Sequence, residues 1–374
     1  MSRLFSVSVS LSLLFQSINA FAWPPTFGAE FNFTNTKVMN DGESHVVDSD
    51  AAVEAQNQMK AVIEKKCAQR KCTITALSNS YDVTVYRVTY EDGWWFQIAT
   101  DPKVVEVQTK ASTVDELKAH RQIIQEDIFD ASAQVGLRPA NEFFGRTWAG
   151  GHFHVGIKSS VGSNTLFFRN LLVDFVNHPE LSAGIFANDV YNAPTISSLP
   201  DRNRHRFVTL INELDQKIAH HKKPSIAEVA SELNKTVYFS TPGGWEPPQK
   251  YQAFNVTRVG NDEFEMTEQT FEIRGSRPQS SADQYIAQVE LTEQRLRLLR
   301  FQKKPIVLKL LDLSQFPEAQ RLTAFYDYVA ETGLDFKNYE QFLSASQLSS
   351  LKTAIANRPL TAPTVTACEF ALGK

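Results

Sequence analysis

The stretch W148-A-G-G-H-F-H-V-G-I-K-S-S160 sets two histidines, His152 and His154, one residue apart between glycines, with Phe153 and Val155 interleaved. On a strand, side chains alternate between faces, so the histidines share one face and the apolar pair the other. Gly150, Gly151 and Gly156 allow a sharp entry and exit, or close approach of backbone to a ligand. Three other segments repeat the pattern. In "FGAEFNF" (27–33) Glu30 and Asn32 alternate with Phe31 and Phe33, "VVEVQ" (104–108) sets Glu106 against Val105 and Val107, and "FEIRG" (271–275) sets Glu272 and Arg274 against Phe271 and Ile273. Four strands distant in sequence, each half polar and half apolar, describe a curved sheet with helices on the apolar side and a cavity on the polar side.

The intervening segments supply the rest of an α+β fold, a mainly antiparallel sheet covered by helices and followed by a helical C-terminal tail. Residues 50–69 read as a helix, and 73–77, 82–90, 94–100 and 103–109 as strands. Thr113 and Glu116 form a capping box for a helix with an apolar stripe from Leu117 to Val135, stopped at Gly136. Helices are expected near 163–177, near 203–219 and after the Ser225/Glu228 capping box. Strands follow at 251–259 and 269–275, a helix over 281–300, and helical pieces over 316–332 and 337–356.

The chain has 374 residues, 42% of them hydrophobic and 21% charged, enough for a large core. A net charge of −4 without a long basic run removes the electrostatic case for nucleic acid. Residues 1–22 carry Arg3, a short apolar stretch and Ala20-Phe21-Ala22, the pattern of a secretory signal cleaved near Ala22. The protein is therefore expected to be exported, periplasmic or secreted, with no stable membrane span. Export permits a disulfide between Cys67 and Cys72, leaving Cys368 single; three reduced thiols are the alternative. The domain reading is signal peptide 1–22, catalytic domain 23–304 and helical extension 305–374.

Carboxylates gathered on one face repel unless cations neutralise them, and glutamates with one histidine suit Mg²⁺ or Mn²⁺. Arg274 beside Glu272 adds a fork matched to phosphate oxygens. In order and spacing, "FGAEFNF", "ATDPKVVEVQT", "GGHFHVG" and "KYQAFNVTRV…QTFEIRGSRPQSSADQYIAQVEL" resemble the amidoligase family of the glutamine synthetase and glutamate-cysteine ligase superfamily over about residues 28–300. The resemblance implies a glutamine synthetase-like half-barrel, ATP and Mg²⁺ (or Mn²⁺) as cofactors, and ligation of a peptide or amino-acid-like carboxylate to an amine.

Residue by residue, the resemblance makes Glu30, Glu106, His152 and Glu272 metal ligands, with His152 also near the ATP phosphates. It makes His154 a partner in the nucleotide site, Arg274 the phosphate-contacting arginine that acts with Glu272 in catalysis, and Asn255 an asparagine beside the nucleotide. Lys250 stands where an arginine is common. Asn32 replaces the second glutamate of the family's E-x-E strand, so one metal position has a neutral, weaker ligand. The base that would deprotonate the amine is not identified, with Asp101 and Asp283 as candidates.

ATP is scarce outside cells, which keeps a second reading open, an exported, catalytically degenerate binding protein of the same fold. A third reading, a cupin-like metal enzyme, takes its H-x-H from residues 152–154, but no glutamate follows His154 closely and the long interleaved helices do not suit a jelly roll.

Overall fold

The computed structural model describes residues 24–41, 46–79, 82–140, 150–182, 193–238, 252–265, 267–310 and 317–358. The signal segment 1–22, Lys250 and Cys368 lie outside the described residues. Among the described residues nine strands form one curved, open sheet: β1 (Phe27–Thr34), β2 (Cys72–Ser78), β3 (Thr84–Tyr90), β4 (Trp95–Asp101), β5 (Val104–Thr109), β6 (Arg138–Pro139), β7 (His152–Gly156), β8 (Phe254–Asn255) and β9 (Thr270–Ile273). Their spatial order is β2-β3-β4-β5-β1-β7-β9-β8, with β6 on β1, and the pairs are antiparallel. The fold is α+β, and the four half-polar segments lie side by side as β5, β1, β7 and β9.

The alternation sets what each face meets. Phe27, Ala29, Phe31 and Phe33 are buried on one face of β1, in one apolar cluster with Val105, Val107, Phe153, Val155, Phe271 and Ile273. Helices supply the other half of that core. Asp50–Arg70 contributes Ala52, Ala55, Met59 and Ile63, and Ala282–Arg300 contributes Tyr285 and Val289. Tyr285 meets the Phe31 ring edge-on at 5.0 Å. Burying a side chain of this size stabilises the fold by roughly 1.5–3 kcal/mol, so the apolar face fixes the register that aims the polar face outward. After residue 316, Leu322, Phe325, Val329 and Tyr339 of the C-terminal helices join the same cluster. Asp174, Arg295 and Glu331 tie Glu318–Glu331 to the helices beneath it.

Both expected capping boxes form, at Thr113/Glu116 and Ser225/Glu228. A disulfide joins Cys67, near the end of the first long helix, to Cys72 at the start of β2. Two expected elements differ. The helix expected to run unbroken to Val135 is interrupted at His120, whose ring stacks on Trp94 at 4.8 Å and bonds Asp92. It then passes through a wide π-helical turn, Ile124–Phe129. That turn places Asp127 on Arg70 and Tyr90. Of the strand expected over 251–259, only Phe254–Asn255 pairs among the described residues 252–259, because Asn255 Oδ1 accepts from the Thr257 amide and turns the chain away. Among the described residues no helix is long and apolar enough to cross a membrane.

Candidate metal and phosphate site

Register brings the polar residues together. Glu30 faces His152 directly, Asn32 faces Glu106, His154 faces Glu272, and Glu272 faces Asn255. Because facing residues point to the same side of a sheet, these seven side chains crowd one patch spanning β5, β1, β7, β9 and β8. Arg274, just beyond β9, joins them by donating from Nη1 to Glu272 Oε1 at 2.7 Å. All eight site residues expected from sequence therefore lie on this patch.

At its centre, Glu30, His152 and Glu272 each offer a ligand atom, and the three atoms lie within 4.8 Å of one another. Two oxygens on opposite sides of a six-coordinate Mg²⁺ are about 4.2 Å apart, so one small divalent ion fits with slight inward movement. His152 Nδ1 sits 3.2 Å from Glu272 Oε1 and 3.5 Å from Glu30 Oε2. Burial and the neighbouring Arg274 charge lower the His152 pKa against the pull of the two carboxylates, a shift toward the neutral ring that a metal ligand must present.

The remaining residues orient these three. His154 has both ring nitrogens engaged, Nε2 with Glu30 Oε1 and Nδ1 with Thr270 Oγ1, each at 2.9 Å. It thus holds Glu30 in place. Asn255 donates to Glu272 Oε2 at 2.7 Å. Burial pushes the Glu30 carboxyl up, but the His154 charge and hydrogen bonds from both histidines hold it well below the usual range. Glu272 is likewise held low against its burial by His154, Arg274 and His152. Glu106 goes the other way: burial, then the charges of Glu30 and Asp101, drive its carboxyl well above the ordinary value. Its carboxylate form lacks a nearby countercharge that a bound cation would supply.

Asn32 is 3% exposed. Its amide nitrogen donates to the Gly150 carbonyl at 2.8 Å, while Oδ1 is buried without a hydrogen-bond partner among the described residues. A glutamate there could not donate, so the amide is what anchors the chain entering β7. Gly150 also makes room for the site, since a Cβ on it would collide with the His152 ring. At Gly151 a Cβ would strike Gln279 and the Arg277 carbonyl. Gln108 is a residue that the sequence reading missed: it donates to Glu106 Oε1 at 2.6 Å. The i, i+2 spacing from Glu106 was the available signal. Of the two candidate bases, Asp101 is near enough to perturb Glu106, whereas Asp283 pairs with Arg121 on the surface, away from the patch.

Fold and site together define the class: an α+β protein whose open antiparallel sheet carries a carboxylate–histidine cluster and an arginine on its polar face. No protein-family model matches the chain, and no curated protein matches it in sequence. Among solved structures it is weakly similar to one titled "Apo GmaS without ligand", at 11% identity and a TM-score of 0.39, covering 89% of this chain and 67% of that one.

Proposed function

We propose that the protein is an ATP- and Mg²⁺-dependent (or Mn²⁺-dependent) carboxylate–amine ligase, acting on peptide or amino-acid-like substrates. The observation that carries this reading is the convergence of Glu30, His152 and Glu272 from three strands, with Arg274 bonded to Glu272. A bound divalent ion would neutralise the carboxylates and polarise a phosphoryl oxygen. Arg274 would face the transferring phosphoryl group and stabilise its developing charge. His154 and Asn255 hold Glu30 and Glu272 against rotation, a positioning role inferred from their hydrogen bonds. The substrate carboxylate attacks the terminal phosphorus of ATP and ADP leaves; an amine then displaces phosphate from the acyl phosphate, forming an amide or isopeptide and giving up a proton.

Export after cleavage near Ala22 belongs to the same proposal, and the Cys67–Cys72 disulfide supports it, because disulfides persist in oxidising compartments. An exported ligase must meet ATP in a recipient cell or use another phosphate donor. Asn32, committed to the Gly150 carbonyl, favours a second reading, a binding protein that keeps one cation position and has lost the reaction. The test is ADP release and product mass with candidate peptides, ATP and Mg²⁺. The ligase reading expects a product lighter by one water than the sum of its two substrates, and Mg²⁺-dependent nucleotide binding without product supports the binding protein.

A further inference from the structure

The polar face continues past the cluster. Arg87 on β3 faces Gln97 on β4, Gln97 faces Gln108 on β5, and Gln108 faces Glu30. These side chains form one row across the strands. Arg87 Nη2 donates to Gln97 Oε1 at 3.2 Å, Gln97 Nε2 to Gln108 Oε1 at 2.6 Å, and Gln108 Nε2 to Glu106 Oε1 at 2.6 Å. Every donor points inward, so the chain ends on a carboxylate at the cluster and on a guanidinium at its outer end. That guanidinium lies 4.2 Å over the Trp95 ring. Its Nε is buried with no hydrogen-bond partner, and among the described residues no carboxylate lies within ion-pair distance of Arg87. A half-buried guanidinium stiffened by an aromatic ring and an amide, with no carboxylate paired to it, presents its Nη edge to a planar anion such as a carboxylate.

We propose that Arg87, Trp95 and Gln97 form a subsite for a second carboxylate of the acid substrate, an inference that rests on the ligase reading above. Arg274 lies at the opposite end of the cluster, beyond β9, which leaves the phosphate donor that side and β5 and β4 to the acid. The bond to Gln97 puts the guanidinium near β4, two strands from Glu30. At about 4.8 Å per strand the two anionic ends of the substrate are ~10 Å apart. A single amino acid cannot reach both. An extended peptide advances at most about 3.3–3.6 Å per residue, so the substrate is a tripeptide-sized acid with a second, terminal carboxylate.

The probes are succinyl-(glycine)n acids, with n from 0 to 4, and their C-terminal amides, titrated calorimetrically into wild type and Arg87→Met with and without Mn²⁺. Methionine keeps an apolar stem on Trp95, and Arg87→Lys, which restores the charge, serves as a second variant. The expected result is tightest binding near n = 2, at least tenfold weaker binding of the matching amide, loss of that preference in Arg87→Met and its partial return in Arg87→Lys. Equal binding of acid and amide by wild type, no binding of any acid, or an unchanged preference in Arg87→Met overturns the subsite. So does a loss of ADP affinity in Arg87→Met without any change for the acids, which would make Arg87 part of a nucleotide site. Mn²⁺ binding is measured separately in each protein. Its absence in wild type counts against the ligase reading, and the acid–amide comparison without metal still decides the subsite.

Discussion

Replacing Asn32 with aspartate separates the two things that this side chain does, because the isosteric acid keeps the shape, loses the donor and adds a charge. In the metal-free protein the change removes the hydrogen bond to the Gly150 carbonyl, a net loss of about 1 kcal/mol plus about 1–3 kcal/mol for leaving a buried group unsatisfied. It also sets a carboxylate across from Glu106, its facing residue on β5. At ~5 Å and an effective dielectric of about 20, two like charges repel by roughly 3 kcal/mol. Burial, Glu30 and Asp101 already push the Glu106 carboxyl up, and proton uptake there would relieve part of that cost. The metal-free variant should therefore be less stable by about 2–4 kcal/mol. A divalent ion reverses the sign, because the new carboxylate attracts it. Calorimetric titration of Mn²⁺ should show at least tenfold tighter binding to Asn32→Asp, and Mn²⁺ should raise its melting temperature more than that of wild type. Equal Mn²⁺ affinity in the two proteins would refute the reasoning by showing that residue 32 does not face the cation.

Glu272→Gln keeps an acceptor for Asn255 and Arg274→Ala leaves the apolar core intact, although each breaks the buried Arg274–Glu272 pair; each should lower ADP release by about two to three orders of magnitude in a protein that still unfolds cooperatively, and near-normal turnover would remove both from the chemistry. Gly150→Ala should displace the His152 ring and weaken Mn²⁺ binding; full affinity in that variant would show that the ring does not contact the ion. Asp174, buried against Arg295 at 2.9 Å, should cost about 3–5 kcal/mol when changed to asparagine, measured by urea unfolding. Burial raises the Asp174 carboxyl, but the charges of Arg295 and His178 bring it below its usual value of 3.8. Its contribution is thus complete above about pH 4 and fades as the pH falls through the lower folded value, a dependence that Asp174→Asn should lack. Cys67→Ser opens a short loop and should lower stability by about 2 kcal/mol, with peptide mapping of the unreduced wild type showing Cys67 and Cys72 joined.

The half of the fold that was legible in sequence is the half written in short-range pattern. Alternation in 27–33, 104–108 and 271–275, and around His152, marked the strands and their polar faces, and serine and threonine caps marked helix starts. Pairing was not legible. That β1 lies between β5 and β7, and that Gln108 consequently faces Glu30, depends on register between segments far apart in the chain. Arg87 and Gln97 read as ordinary polar positions until that register joined them to the cluster. Asn32 read as a weakened ligand, because nothing local announces that its amide holds the Gly150 carbonyl. The π-helical turn at 124–129 was hidden by an apolar stripe that continues through it.

The three atoms that converge on one point come from residues 30, 152 and 272. The unfolded chain therefore holds no preformed cluster, since no two of these residues are neighbours until β1, β7 and β9 have paired. Capture of the ion proposed above would consequently be a late event, coupled to completion of the sheet, and would stabilise only the finished topology. Which divalent ion first entered such a site would then depend on the ions available where folding finishes.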